Sequence, residues 1–158
     1  MKKLKFLGAL LLLSSSVLAV KAEPIDLYGY NHGSYEYLGC LNCNQYSADS
    51  IWNSQGKYGS RYSRDSVFYF GLSWNTNQYI SKNLFPSLSG NDPSMFAKCN
   101  DQSPVIAGRN TKIIYGYLCR GGKLDGMVDL FEYMIDNGKT FDDLSPEVQR
   151  EIKKVFQY

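Results

Sequence analysis

The sequence contains a single histidine, His32, among its 158 residues. One histidine cannot supply a metal centre built on several imidazoles, and any Ser-His-Asp or Cys-His catalytic site would have to use this one. His32 lies beside Gly33 in a pattern typical of a turn, with no catalytic companion nearby in the sequence. We therefore interpret it as an exposed loop histidine.

The sequence also lacks an apolar run long enough to cross a membrane. Its most apolar segment, residues 6–13, is short, follows three lysines and precedes serines and small residues. This order is typical of a secretory signal peptide over residues 1–22, with cleavage after Ala22 and a cut after Ala19 as the alternative. A lipoprotein would need a cysteine directly after the apolar run, whereas the first cysteine is Cys40.

Once this segment is removed, the remaining chain has no surplus of basic residues. The chain has 17 Lys and Arg against 15 Asp and Glu, but four of the lysines lie in residues 1–22, which hold no acidic residue. The predicted mature chain therefore has 13 basic and 15 acidic residues and a net charge of −2. A basic surface for nucleic acid is not indicated, so we predict no nucleic-acid partner.

Cysteine is scarce, and its four copies are Cys40, Cys43, Cys99 and Cys119. In an oxidising compartment an even number predicts two disulfides with three possible pairings. We favour long-range pairing of Cys40 and Cys43 with the other two, because longer loops gain more from closure. A redox-active Cys-x-x-Cys is an alternative, although residues 44–47 do not resemble a helix start. A zinc site formed by the four thiolates is a less favoured alternative.

Tyrosine, serine, glycine and asparagine are abundant between residues 35 and 79, and two segments there are similar. Residues 46–52 read YSADSIW and residues 62–68 read YSRDSVF, separated by a run of turn formers. We predict a repeated unit in which the apolar pairs anchor turns and short strands in a shared core. Residues 94–96 resemble a degraded third copy.

Asp49 and Asp65 occupy matching positions in these two segments. They could ligate a hard cation such as calcium, form a carboxylate pair for acid–base catalysis, or cap backbone N–H groups in turns. Each segment offers a single carboxylate, too few oxygen ligands for a typical calcium loop. We favour capping, because an aspartate in a turn satisfies backbone donors locally.

The remaining pattern predicts a β-rich body. Residues 35–43, 104–107 and 112–119 favour strands, the last two as a hairpin. Residues 68–74 are aromatic enough to form another strand. Residues 23–34 are interpreted as an extended lead-in with turns at Gly29 and at residues 31–33.

The end of the chain changes to a helical pattern. Residues 123–137 place apolar side chains at helical spacing, and Asn137-Gly138 predicts the end of that helix. Residues 140–143 resemble a capping box, and Ser145-Pro146 predicts the start of a second helix. The second helix should bury one apolar face, formed by Val148, Ile152, Val155 and Phe156.

The middle of the chain resembles a group of small exported bacterial proteins of unassigned function. The shared motifs are YLGCLxC, DSIWN, a YGS-containing unit, PVI and YGYL, at residues 37–43, 49–53, 56–60, 104–106 and 115–118. The resemblance covers residues 35–119, and similar segments follow some secreted thermonuclease-like enzymes as an accessory module. It carries no catalytic residues to this chain, and the helical end lies outside it.

Together these observations predict an α+β protein. Residues 1–22 form the signal peptide and residues 23–158 one mature domain, divided into a β- and turn-rich body (23–121) and a helical hairpin (122–158). The predicted function is that of an exported module, periplasmic or secreted, that is structural or binds a glycan or protein at the cell envelope. We predict no catalytic residue, metal or cofactor, with a hydrolase or thiol–disulfide enzyme as the less favoured alternative.

A glycan or peptidoglycan ligand is the main alternative for the specific role. Aromatic rings offer flat apolar contacts to sugars, and neighbouring amides and hydroxyls offer hydrogen bonds. The candidate ligand-binding residues are Trp52, Tyr58, Tyr62 and Trp74.

Overall fold

The computed structural model describes residues 23–31, 33–69 and 95–156. The predicted signal peptide, His32, Trp74 and most of the predicted strand at 68–74 lie outside the described residues. Among the helices in the described ranges, none is long and apolar enough to span a bilayer.

Four antiparallel strands form one sheet in the order β2-β1-β3-β4. The strands are β1 (Ile25–Asn31), β2 (Ser34–Cys40), β3 (Val105–Gly108) and β4 (Ile114–Tyr117). The strands predicted at residues 35–43, 104–107 and 112–119 are thus confirmed, and the last two form the predicted hairpin. The predicted turn at Gly29 is wrong, because β1 continues through that residue and pairs there with Glu36.

Residues 44–69 form a series of consecutive turns, which we call the turn ladder. Within it, the N–H of each of Ser47, Ser50, Asn53, Gly56, Ser63, Ser66 and Tyr69 donates to the carbonyl oxygen three residues earlier. The step from Gly56 to Ser60 is one residue longer. The ladder is joined to the end of β2, since Cys40 donates to the carbonyl of Asp49 and accepts from the N–H of Ile51.

Serine and asparagine side chains close the turns of the ladder. At six positions the side-chain oxygen accepts from the N–H two residues later, at 2.9–3.4 Å: Asn44, Ser50, Asn53, Ser60, Ser63 and Ser66. These short polar residues suit such local bonds, which compete with helix and sheet. The turn formers in this sequence therefore build a continuous structure.

Two helices complete the chain, α1 (Asp125–Asp136) and α2 (Pro146–Phe156), with a 3₁₀ turn at Phe141–Asp143 between them. α1 ends at Asp136, and Gly138 follows its C-cap with φ 58°. The N–H of Gly138 donates to the carbonyl of Ile135, and the N–H of Lys139 donates to the carbonyl of Met134. This is the predicted glycine-terminated end.

The predicted capping box and the predicted start of α2 are also confirmed. The Asp143 carboxylate accepts from the N–H of Thr140 at 2.8 Å and from its hydroxyl at 2.9 Å. Pro146 occupies the first position of α2.

The core lies between one face of the sheet, the turn ladder and the helices. Leu27, Leu38 and Ile106 contribute from the sheet, and Val128, Phe131, Met134 and Ile135 from α1. Along α2 only part of the predicted apolar face is buried. Ile152 is buried and Phe156 packs against the core, whereas Val155 is 67% exposed and Val148 is also exposed.

Two disulfides link neighbouring parts of the chain, Cys40–Cys43 and Cys99–Cys119. The favoured long-range pairing is therefore wrong. Cys40 ends β2 and the chain turns at once, which brings the Cα atom of Cys43 to 5.5 Å. A backbone bridge between Lys98 and Arg120 places the second pair side by side, with Cα atoms 5.0 Å apart. Both separations suit a disulfide.

Candidate functional site

Trp52, a candidate ligand residue, is fully buried. Its indole N–H donates to the carbonyl of Leu41 at 2.7 Å, and its ring packs against Phe68, Phe131, Phe141 and Phe156 at centroid distances of 5.6–6.4 Å. The prediction that Trp52 contacts a ligand is wrong, because its ring is enclosed in the core. The prediction that the apolar pairs at residues 51–52 and 67–68 anchor the turns in a shared core is confirmed.

The other predicted ligand residues fall in different places. Tyr58 is half-buried, and its ring meets that of Tyr37 edge-on at 5.1 Å. Tyr62 projects from the ladder with 79% of its surface exposed, and the guanidinium of Arg61 lies over its ring at 5.3 Å. Trp74 lies outside the described residues. Of the three candidates that the structure describes, one is therefore in the core, one is half-buried and one is exposed.

A different group of aromatic residues shares the sheet face that points away from the core. Antiparallel partners project to the same side of a sheet, and the register pairs Tyr28 with Tyr37, Tyr30 with Tyr35, and Val105 with both Tyr28 and Tyr117. We call the resulting surface the tyrosine face; it comprises Tyr28, Tyr30, Tyr35, Tyr37 and Tyr117.

Edge-to-face packing holds the rings of the tyrosine face in place. The ring centroids of Tyr28 and Tyr37 are 5.8 Å apart, and those of Tyr30 and Tyr35 are 5.3 Å apart. Such contacts add roughly 0.5–1.5 kcal/mol per pair beyond simple burial. Tyr35 and Tyr117 each remain 38% exposed. The face is thus a fixed surface with accessible aromatic area.

Three tyrosines of this face have raised pKa values. Burial is the main cause that raises the pKa of Tyr28, Tyr35 and Tyr37 above the usual value for a phenol. The hydroxyl of Tyr35 donates to the carbonyls of Asp101 and Ser103, at 2.8 and 3.1 Å. These three hydroxyls therefore stay protonated and uncharged at neutral pH.

One end of the tyrosine face carries a charged cluster around Arg109. The guanidinium binds the buried Asp26 with two bonds of 2.9 Å, and it also contacts Asp49 at 3.0 Å and the Tyr37 hydroxyl at 2.9 Å. Hydrogen bonding to Asp26 is the main cause that raises the pKa of Arg109 further. A buried carboxylate without this partner would be strongly destabilising, so the cluster fixes the β3–β4 loop against β1.

The prediction that Asp49 and Asp65 cap the turns is wrong, because other residues do so. Their neighbours Ser50 and Ser66 cap the turns, whereas Asp49 pairs with Arg109 and Asp65 lies 3.7 Å from Lys57. Because Asp49 is part of a tightly bonded cluster and Asp65 of an exposed pair, the two carboxylates have different environments.

Both cysteines of the Cys-x-x-Cys motif are in one disulfide. In the described ranges, no three His, Cys, Asp or Glu side chains are grouped to hold a metal ion.

The tyrosine face has a signal in the sequence. Residues 28–30 and 35–37 both read Tyr-x-Tyr, the alternation expected of strands with one aromatic side. The prediction of a turn at Gly29 divides the first of these segments, and it thereby hides the hairpin that pairs the two.

The fold and this surface define a small α+β protein with two disulfides and an aromatic sheet face. No protein-family model, curated protein or solved structure matches the chain.

Proposed function

We propose that this protein is an exported, non-enzymatic binding module of the cell envelope, periplasmic or secreted, and that the tyrosine face is its contact surface. The observation that carries the proposal is the alignment of five tyrosines on the sheet face opposite the core. We also propose that it belongs with the exported bacterial proteins that its middle segment resembles.

Export is supported by the pattern of residues 1–22 and by the two disulfides. Disulfides persist in oxidising compartments and are rare in the reducing cytosol. The pattern of lysines, a short apolar run and small residues is that of a cleavable targeting segment.

Binding is supported by the rigidity and chemistry of the face. Tyrosine provides a large amphipathic contact area with few rotatable bonds, so little side-chain entropy is lost on binding. Here the rings of Tyr28, Tyr30, Tyr35 and Tyr37 already hold one another in pairs. A partner with flat apolar patches and hydroxyls, such as an envelope glycan, suits this combination and is the preferred ligand class.

We predict that replacing Tyr117 with alanine weakens binding to isolated cell-wall glycan by about tenfold, because truncating a tyrosine at an interface often costs more than 1 kcal/mol. Tyr117→Phe should retain most of the affinity, since the ring is kept. The measurement is co-sedimentation of the purified mature protein with purified cell-wall glycan, and separately with a glycan-free envelope protein fraction.

Tyr133→Ala is the matched control, because Tyr133 is an exposed tyrosine on α1, away from the sheet. It should bind like the wild type. Equal binding by Tyr117→Ala and wild type would contradict the assignment of the face. Retention only in the protein fraction would replace the glycan with a protein partner.

A further inference from the structure

Two tyrosines project from the turn ladder to the same extent. Tyr46 is 80% exposed and Tyr62 is 79% exposed. Both begin the similar segments at residues 46–52 and 62–68. A single exposed aromatic residue needs no explanation. Two tyrosines at matching positions of similar segments, with nearly equal exposure, do need one.

The backbone holds the two tyrosines in the same way. The N–H of Tyr46 donates to the side-chain oxygen of Asn44, and that of Tyr62 donates to the side-chain oxygen of Ser60. In each case the next residue donates its N–H to the carbonyl of that same capping residue. Both rings therefore start from equivalent turns.

The same two segments send their other aromatic residue inward. Trp52 and Phe68 follow Ser50 and Ser66, which bind their N–H groups at 3.1 and 3.0 Å, and both rings are buried. Each segment thus has one aromatic residue in the core and one outside. Burial explains the inner pair, but the core gains nothing from the outer pair.

We infer that Tyr46 and Tyr62 are two matched stacking sites for a polysaccharide with a regular repeat, and that Tyr62 offers the ring face that Arg61 does not cover. A tyrosine ring offers a flat apolar surface to the face of a sugar. Two matched sites suit a ligand that presents the same unit more than once. The inference deepens the proposed function and rests on it for the choice of an envelope glycan as the ligand. It concerns two tyrosines of the turn ladder that are not part of the tyrosine face.

Two linked sites give a length dependence that a single site does not. A ligand long enough to reach both makes its second contact intramolecularly, which can raise the overall affinity by a factor of about 10²–10⁴. A ligand that reaches one ring gains nothing from the other. Affinity for a glycan series should therefore increase steeply once the chain is long enough to contact both sites.

The experiment measures binding of β-1,4-linked N-acetylglucosamine oligomers, from the disaccharide to long oligomers, by titration calorimetry on the purified mature protein. Wild type should show the increase with length. Tyr46→Ala and Tyr62→Ala should each remove the increase and lower the affinity for long oligomers by about 10²-fold or more. Tyr46→Phe should behave like wild type, and circular dichroism checks that each variant is folded.

Equal affinity of wild type for short and long oligomers would overturn the inference, as would wild-type behaviour of both alanine variants. Failure to bind any oligomer would also overturn it. The oligomer titrations can contradict stacking at Tyr46 and Tyr62 while cell-wall glycan still retains the wild type and does not retain Tyr117→Ala. In that case the tyrosine face stands as the contact surface. The two proposals therefore fail separately.

Discussion

The carboxylate of Glu23 is held by the loop between β3 and β4. It accepts hydrogen bonds from the N–H groups of Asn110 and Thr111 and from the hydroxyls of Thr111 and Tyr115. Bonds from Thr111 are the main cause that lowers the pKa of Glu23 from 4.5 to about 2. The loop is thereby attached to a residue two positions before the start of β1.

We predict that this carboxylate makes stability depend on pH in the acid range. Since the folded pKa is depressed, the unfolded state binds more protons between about pH 2 and 4.5. The stabilisation is fully present above pH 4.5 and is lost as the pH falls through about 2. Glu23→Gln should lower the melting temperature more at pH 7 than at pH 2, as measured by circular dichroism.

The control variant is Glu151→Gln, which removes a carboxylate from an exposed pair with Lys154 at 3.9 Å. Exposed pairs of this kind contribute little, so its melting temperature should follow wild type. If Glu23→Gln lowered the melting temperature equally at both pH values, the hydrogen-bonded carboxylate would not be the source of the pH dependence.

The turn ladder is the least conventional element of the fold. Its turns are closed by hydrogen bonds within the segment, and successive turns approach one another closely. At Gly59 a side-chain carbon would collide with the backbone carbonyl oxygens of Ile51 and Asn53. The glycine is therefore needed where two parts of the ladder pack against each other.

We predict that Gly59→Ala destabilises the protein by about 1–3 kcal/mol, because backbone atoms cannot move aside as a flexible side chain can. Chemical denaturation followed by circular dichroism measures the difference. Gly126→Ala is the matched control, since nothing lies within 4 Å of the added carbon. Within α1 it should be neutral or stabilising by up to about 1 kcal/mol. Equal stability of the two variants would contradict this account of the ladder.

Elements with local signals were predictable from the sequence. The end of α1 at Asn137-Gly138 and the start of α2 at Pro146 depend on neighbouring residues, so their sequence patterns were sufficient. The burial of Trp52 depends on four phenylalanines distant in the sequence, three of them in or near the helices. The tyrosine face depends on the pairing of strands, so neither could be obtained from local pattern alone.

The whole molecule is constrained at two separate places by its disulfides. Cys99–Cys119 closes a loop that includes β3 and β4, whereas Cys40–Cys43 closes a single turn after β2. A loop of about this larger size is expected to contribute about 3 kcal/mol in the chain-entropy treatment. Long-range pairing failed as a prediction because the bridge between Lys98 and Arg120 was not visible in the sequence.

We predict that a tryptic digest without reduction will show this pairing directly. In the predicted mature protein, cleavage after lysine and arginine should leave Cys40 and Cys43 together on residues 23–57. It should place Cys99 on residues 99–109 and Cys119 on residues 113–120. Mass spectrometry should detect the last two peptides linked, and the first with an internal disulfide. A link between residues 23–57 and either other peptide would contradict the pairing.

The turn ladder has a consequence for how this fold can vary. Each turn is completed within a few residues by its own backbone and by a serine or asparagine side chain. Its length is therefore not set by the register of a partner strand, as the length of β1 or β2 is. Insertion or deletion in the turns that carry no buried side chain would change which side chains reach the solvent without shifting the sheet. The ladder can therefore diverge in surface composition and length, provided that Ile51, Trp52, Val67 and Phe68 stay in the core.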